Sequence, residues 1–167
     1  YYISNPNSYT SNFTGIGNTE VANFCIEPIG SIQDLNVAIY PSIADPRPGF
    51  NTTYHLVCKN IGTTQLSGTV SFQFNDSKLN FLNASETVSS QIVNTLNFDF
   101  SNLNPFEIRT IDLVFNVFAP PTTNIDDILI STATVNPVSG DNTEDDNTFT
   151  LNQTVIGSYD PNDITCL

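Results

Sequence analysis

The sequence contains no methionine or tryptophan, a single histidine, and only four lysines and arginines among its 167 residues. Against these bases stand 17 acids, which leave a formal net charge of −13. Nucleic acids and anionic membranes are bound through clustered Lys and Arg, so we expect the chain to bind neither. Uninterrupted apolar runs are three or four residues long, too short to cross a bilayer, and we expect no membrane insertion.

The inventory of catalytic groups is equally poor. His55 falls on the outward face of an alternating segment, beside Val57 and Lys59. Cys58 falls on the inward face, where a thiol is inert. The sequence has no Gly-x-Ser-x-Gly, His-x-x-x-His or phosphate-loop spacing. We therefore expect a non-enzymatic protein with no catalytic residue.

What the chain does contain is small polar residues and aromatics in alternation. It has 22 Asn, 20 Thr and 15 Ser, together with 12 Phe and 6 Tyr. Period-2 alternation of apolar and polar residues runs through most of it, which predicts an all-β protein. About eight strands between turn signals are typical of an antiparallel β-sandwich. The predicted strands are 34–40, 53–59, 66–74, 78–82, a segment within 91–100, 107–118, 127–135 and 149–156.

Alternation also predicts which side chains face the core. The inward-facing residues of five strands are Leu35, Val37 and Ile39; Tyr54, Leu56 and Cys58; Val70, Phe72 and Phe74; Leu96, Phe98 and Phe100; and Ile111, Leu113, Phe115 and Val117.

Residues 1–24 differ from the remainder, 25–167, which we interpret as the sandwich domain. They are rich in Asn, Ser, Thr and Gly with scattered aromatics. One interpretation is a linker or arm; the other is a strand of a preceding module, or one that adds to a sheet edge of this chain or of a second copy. The start, Tyr1-Tyr2-Ile3, has no initiator Met and no basic segment, so we interpret the chain as a fragment or a matured product.

Several short runs of the sequence are distinctive as a set. The most specific run is Gly157-Ser158-Tyr159-Asp160-Pro161-Asn162-Asp163. The others are Cys25, Asp34-Leu35, Arg47-Pro48-Gly49-Phe50, Tyr54, Lys59-Asn60, Leu66-Ser67-Gly68, Asn104-Pro105-Phe106-Glu107 and the segment 145–154. Together these runs resemble the immunoglobulin-like repeat domain of secreted, multi-module Bacteroidota proteins that are substrates of type IX secretion. The resemblance implies an immunoglobulin-like fold and a location outside the cell or on its outer surface.

Two functional classes follow. The favoured one is a structural or adhesive module, a spacer or a component of a surface array or fibre, whose partners are neighbouring modules or copies of the chain. The alternative is a ligand-binding accessory module of a secreted enzyme. Its ligand would be a glycan stacked on exposed tyrosines such as Tyr1, Tyr2, Tyr9, Tyr40 and Tyr159.

Two acidic clusters offer the oxygen ligands that calcium prefers, one at 141–147 and one at 160–163. Strict up-and-down alternation of eight strands places the turns at 60–65, 83–90, 119–126 and 157–163 at one pole. It places loop 139–148 at the other pole, with Asp45 and Asp76. The predicted calcium ligands are therefore Asp126, Asp127, Asp160, Asn162 and Asp163; the alternative is that both clusters are solvated turns.

Three cysteines fit one disulfide and one free thiol in an oxidising compartment. Cys25 precedes the first core strand and Cys166 follows the eighth. An even number of strands would return the chain to its starting pole. We therefore predict that Cys25 pairs with Cys166 and that Cys58 stays reduced.

Overall fold

The fold is a β-sandwich, seen in a computed structural model that describes residues 1–42 and 45–157. The strands are β1 Tyr2–Asn5, β2 Cys25–Pro28, β3 Leu35–Pro41, β4 Asn51–Asn60, β5 Leu66–Gln73, β6 Leu79–Ala84, β7 Ser90–Ile92, β8 Thr95–Leu103, β9 Ile108–Val117, β10 Ile128–Asn136 and β11 Thr148–Thr154. The described part of the chain contains one helical segment, a 3-10 turn at Glu144–Asn147. No helix within it is long and apolar enough to cross a membrane.

Two antiparallel sheets enclose the core. One has the strand order β11-β10-β5-β8-β7 and the other β3-β4-β9-β6, while β1 and β2 form a separate two-stranded sheet. All sixteen side chains predicted to face inward are buried. The alternation of small polar and apolar residues therefore determines which face of each strand packs inward, and the all-β sandwich is confirmed.

Aromatic side chains fill the centre between the sheets. The Phe115 ring lies 5.7 Å from those of Tyr54 and Phe72, 4.8 Å from that of Phe74 and 5.5 Å from that of Phe81. Tilted and edge-on contacts at these separations are the favourable ones for aromatic rings. The cluster joins β5 to β4 and β9 across the sandwich and supplies the large apolar area that an uncharged core of this size needs.

The strands after residue 94 run in the direction opposite to the predicted one. One strand was predicted within 91–100, but Val93 and Asn94 form a two-residue turn that separates β7 from β8. Val93 has a φ of 50°, the left-handed region in which a β-branched residue is rare. Such hairpin turns are normally marked by Asn-Gly or Asp-Gly. The sequence lacked that signal, and the extra reversal inverts every later strand.

The loops that meet at each end of the sandwich consequently differ from the predicted ones. We call one end the acidic pole; it is formed by segments 30–34, 60–65, 103–107 and 137–147. We call the other end the opposite pole; it is formed by segments 45–50, 75–78, 118–127 and 155–157. The loop 139–148 thus shares a pole with 60–65, whereas Asp126 and Asp127 share one with Asp45 and Asp76, contrary to the prediction.

The N-terminal hairpin, residues 1–29, joins the acidic pole. β1 pairs with β2 in the register Tyr2–Pro28 to Asn5–Cys25, so β1 adds to neither sheet of the sandwich. The pairing crosses the boundary that we placed between residues 24 and 25. Between its strands, the hairpin carries a long loop on which Phe13, Ile16 and Val21 are exposed.

Candidate metal centre

Three aspartates meet at the acidic pole. One carboxylate oxygen each from Asp34, Asp141 and Asp146 lies within 4.8 Å of the other two. Asp34 is fully buried, and the other two are half-buried. None of the ion pairs within the described residues involves them. A buried carboxylate next to two more is costly unless a cation offsets the charge.

Backbone hydrogen bonds hold this cluster in place. The amide of Leu35, where β3 begins, donates to Asp141 Oδ2 at 2.8 Å, and the amide of Asn142 donates to the carbonyl of Gln33, also at 2.8 Å. The amide of Thr143 donates to Asp141 Oδ1 at 3.0 Å. These bonds fasten the loop that follows β10 to the start of β3, so the carboxylates meet because the backbone brings them together.

Two of the carboxylate oxygens are buried and accept no hydrogen bond from any described residue. Asp34 Oδ1 and Asp146 Oδ1 are buried and have no hydrogen-bond partner among the described residues. Buried polar atoms are almost always paired, so an orphaned oxygen needs an explanation such as a bound ion or water. Here two orphaned oxygens belong to the same three-carboxylate cluster.

The charge environment of Asp146 agrees with this geometry. Burial is the largest cause that raises the pKa of Asp146. A hydrogen bond from Asn36 Nδ2 at 3.3 Å opposes the rise, and the carboxylates of Asp34 and Asp141 add to it. Its ionised form is therefore disfavoured in the protein alone, and a cation would reverse that.

Asn147, which is fully buried, borders Asp141 of the same cluster. If its amide nitrogen faces the cluster, it donates to Asp141 Oδ1 at 3.2 Å and to the carbonyl of Thr143 at 3.1 Å. If its amide oxygen faces the cluster, the nitrogen lies 3.5 Å from the carbonyl of Val135. The oxygen then faces only acceptor oxygens, an arrangement that a hard cation such as calcium would stabilise.

Two of the five predicted calcium ligands, Asp126 and Asp127, lie within the described residues. Asp126 donates its amide to the carbonyl of Val155 at the opposite pole. Asp127 Oδ2 lies 2.5 Å from Lys78 Nζ and accepts the amide of Asn124 at 2.8 Å, so a cation already engages it. Asp160, Asn162 and Asp163 lie outside the described residues, and their part of the prediction stays a prediction.

The number of strands also bears on the predicted disulfide. The described sandwich has nine strands rather than eight, so β11 ends at the pole opposite the one where β3 begins. Strand parity therefore does not bring Cys25 and Cys166 to the same pole, contrary to the prediction. Cys25 is exposed, and no disulfide joins it to Cys58; Cys166 lies outside the described residues. The pairing itself stays a prediction.

Cys58 occupies the environment that its alternation predicted. It is buried on β4, and burial raises the pKa of its thiol to about 12, although the charge of Arg109 opposes the rise. A thiol with that pKa is scarcely ionised at neutral pH, which removes it as a nucleophile.

Sequence reasoning missed two relationships. Asp34 was recognised only as part of the Asp34-Leu35 run; its position directly before an apolar strand was the available signal for a residue at a sheet end. His55, for which no orienting partner was visible, has one in Asp112 on the neighbouring strand β9, with Nδ1 and Oδ1 2.7 Å apart. Both side chains are substantially exposed, and neither lines the cavity described next.

A cavity of about 370 Å³ opens between the sheets. Apolar side chains of Cys58, Val70 and Phe98 line it, with Glu86 and Arg109 among its polar lining. The described tyrosines proposed for glycan stacking are not among its lining residues: the hydroxyls of Tyr1, Tyr2 and Tyr9 are hydrogen-bonded, and Tyr40 is exposed on β3. Tyr159 falls outside the described residues, and glycan stacking stays a prediction.

No protein-family model matches the sequence, and no curated protein sequence matches it. Among solved structures, the CARDB domain from Pyrococcus furiosus in complex with di-metal ions is similar over 78% of this chain and 99% of its own, with 22% identity and a TM-score of 0.52. CaCohA2 from Clostridium acetobutylicum is similar over 72% and 92%, with 14% identity and a TM-score of 0.45. The cohesin–dockerin complex from Clostridium thermocellum follows with 78% and 90%, 10% identity and a TM-score of 0.43. The first similarity shows that the chain has an immunoglobulin-like sandwich fold.

Proposed function

We propose that this chain is a non-enzymatic interaction module of the cell exterior whose acidic pole is closed by a calcium ion. The observation that carries the metal assignment is the pair of orphaned, buried oxygens, Asp34 Oδ1 and Asp146 Oδ1, within one three-aspartate cluster. Calcium takes six to eight oxygen ligands and tolerates irregular geometry. Asp141, the amide oxygen of Asn147 and the carbonyl of Thr143 supply further oxygens at this place.

The ion would act as a structural element. It would bind β3 to the loop between β10 and β11, segments about 110 residues apart in sequence that contribute the two sides of the pole. It would also remove the repulsion among three carboxylates, which otherwise opposes folding. The CARDB domain of similar fold is described in complex with di-metal ions; the proposal for this chain depends on its own oxygen cluster.

The role as an interaction module is supported by what the described residues offer and by the resemblance to repeat domains of secreted proteins. The lone His55 pairs with Asp112 on an exposed sheet face, and the one free thiol in the core is protected by burial. Meanwhile, the hairpin loop presents apolar side chains that no described residue covers, among them Phe13, Ile16 and Val21. Modules that assemble with neighbours present such surfaces.

Calcium titration of matched variants tests the metal assignment. Asp34→Asn removes one ligand charge from the cluster, while Asp126→Asn removes one from the site predicted by strand alternation. Isothermal titration should show calcium binding to the wild type and to Asp126→Asn, and at least tenfold weaker binding to Asp34→Asn. Calcium should also raise the melting temperature of the first two proteins. Loss of binding in Asp126→Asn alone would assign the ion to the opposite pole, and no heat with the wild type would end the proposal.

The alternative as a ligand-binding accessory module is favoured only by the cavity between the sheets. Its lining mixes apolar and polar side chains, and the buried Phe98 leaves almost no ring face on which a sugar could stack. A glycan array on the whole chain discriminates between the two classes: reproducible saccharide binding favours the alternative.

A further inference from the structure

The N-terminal hairpin reaches into the candidate metal centre. The hydroxyl of Tyr1 donates to Asp34 Oδ2 and accepts from Asn142 Nδ2 at 2.5 Å. The hydroxyl of Thr143 lies 3.3 Å from that of Tyr1 and donates to Asp34 Oδ2 at 3.2 Å. One tyrosine of the hairpin therefore contacts both sides of the acidic pole, the end of the connection to β3 and the loop after β10.

We propose that cation binding at Asp34, Asp141 and Asp146 and docking of the N-terminal hairpin are coupled through Tyr1, so that the ion locks the hairpin onto the sandwich. This inference rests on the proposed calcium site. Tyr1 acts as a positioning residue: it contacts the carboxylate that would bind the ion, but on the other oxygen.

The coupling follows from the different partners of the two Asp34 carboxylate oxygens. Oδ2 accepts from the hydroxyls of Tyr1 and Thr143, which leaves Oδ1, the buried and unpartnered oxygen, for the ion. Docking therefore fixes the rotation of the carboxylate in the orientation that a cation needs. In the other direction, an ion held by Asp141 and Asp146 would fix the loop that carries Asn142 and Thr143, which are the remaining partners of Tyr1.

The hairpin depends on few other contacts. Tyr2 donates to the carbonyl of Gly62 at 2.6 Å, and its ring lies 4.6 Å from that of Phe106. Most of its surface is exposed, including all four residues of β2. Because so little area is buried, we expect the docked and undocked positions to be close in free energy, so that a contribution from one site can shift the balance. The hairpin also carries the exposed apolar loop, so the ion would control how that loop is presented to a neighbour.

Thermodynamic linkage makes the proposal measurable. If docking of the hairpin raises the affinity for the ion by a given factor, binding of the ion raises the docking equilibrium constant by the same factor. Such couplings are about 5- to 150-fold. In Tyr1→Phe, which keeps the ring and removes the hydroxyl, calcium affinity should fall about 5- to 10-fold. Tyr9→Phe is the matched control, because the Tyr9 hydroxyl donates to Glu20 within the hairpin loop and is not a partner of the aspartates.

A second readout follows the base of the hairpin, beside the docking contacts of Tyr1, in the whole, unmodified chain. The Ile29 amide donates to the carbonyl of Tyr1 at 2.7 Å, which closes the base of the hairpin. Hydrogen exchange at this amide should slow about 5- to 10-fold when calcium chloride is added, and this slowing should disappear in Tyr1→Phe.

The outcomes separate the coupling from the site. Calcium binding that is equal in Tyr1→Phe and wild type, or exchange at Ile29 that ignores calcium, would overturn the coupling and leave the metal site standing. Absence of calcium binding to the wild type would overturn both. Circular dichroism of Tyr1→Phe verifies its fold. If that variant fails to fold, the exchange measurement on the wild type still tests the coupling.

Discussion

The amide of Leu35 donates to the carboxylate of Asp141 at 2.8 Å, joining the first strand of the sandwich to the last long loop, 106 residues later in the chain. Because the donor is a backbone amide of β3, this bond fixes the position of Asp141, and with it the loop between β10 and β11, relative to that strand. Asp34, one residue before Leu35, is thereby brought to the carboxylates of Asp141 and Asp146. The three-aspartate cluster thus forms where the start of β3 meets the loop between β10 and β11.

Replacing Gly62 tests how tightly that frame is built. A Cβ at this position would lie 2.5 Å from the carbonyl oxygen of Ile32 and 2.8 Å from the amide of Asp34, both backbone atoms that cannot rotate away. Gly62→Ala should destabilise the fold by about 1–3 kcal/mol and weaken calcium binding by displacing Asp34. Gly15→Ala is the control, since its Cβ would meet only Asn18 Nδ2 at 4.0 Å. Urea denaturation compares the two; a Gly62→Ala protein as stable as Gly15→Ala would contradict the close packing.

The thiol of Cys58 should be protected in the folded protein. Burial raises its pKa to about 12, so the reactive thiolate is almost absent at neutral pH. In reduced protein, a chromogenic disulfide reagent should modify exposed Cys25 rapidly and Cys58 only at the rate of unfolding. Cys25→Ser identifies the fast phase, and guanidinium should make all thiols equally reactive. Fast modification of Cys58 without denaturant would show that its strand opens.

Oxidised protein tests the predicted disulfide independently of strand parity. From Thr154, twelve residues lead to Cys166, and an extended chain of that length reaches about 40 Å, enough to cross the domain. We expect peptide mapping without reductant to find Cys25 linked to Cys166. A crosslink that contains Cys58, or no crosslink in material made under oxidising conditions, would refute it.

Asp127 should contribute to stability in a pH-dependent manner. The amide of Asn124 is the main cause that lowers its pKa below the usual 3.8, and Lys78 adds to the effect. A carboxylate with a lowered pKa stabilises the fold fully above its unfolded pKa, and the contribution is lost as the pH falls through the folded pKa. Melting temperatures of wild type and Asp127→Asn should therefore differ at pH 6 and converge near pH 2. A difference in melting temperature that stays constant across that range would mean that ionised Asp127 does not stabilise the fold.

The hairpin loop should mediate association. The side chains of Phe13, Ile16, Val21 and Phe24 are exposed, and each would be shielded by a neighbouring module or a second copy. Deleting residues 1–24 should leave a folded monomer and abolish association in light scattering. The double variant Ile16→Ser and Val21→Ser keeps both strands of the hairpin and should weaken association in the same direction. Unchanged association in both proteins would assign the interface to the sandwich.

Alternation in the sequence was enough to determine the fold class and the core. Side chains on a strand alternate between two faces, so Leu35, Tyr54, Phe72 and Phe115 could be assigned to the interior from their neighbours alone, and the same pattern placed Cys58 inside and His55 outside. These are local properties, so a wrong strand or turn prediction elsewhere in the chain does not change them.

Only the tertiary structure decided which turns share a pole, because strand direction accumulates along the chain and one missed reversal changes everything after it. The reversal at Val93 and Asn94 left no turn signal, since a β-branched residue occupies a left-handed position that is normally taken by Asn or Gly. As a result, Asp141 to Asn147 were recognised as acidic ligands but assigned to the wrong pole, and Asp34 was missed as their partner. Contacts between residues more than 100 positions apart depend on every intervening turn, and that information is absent from any local pattern.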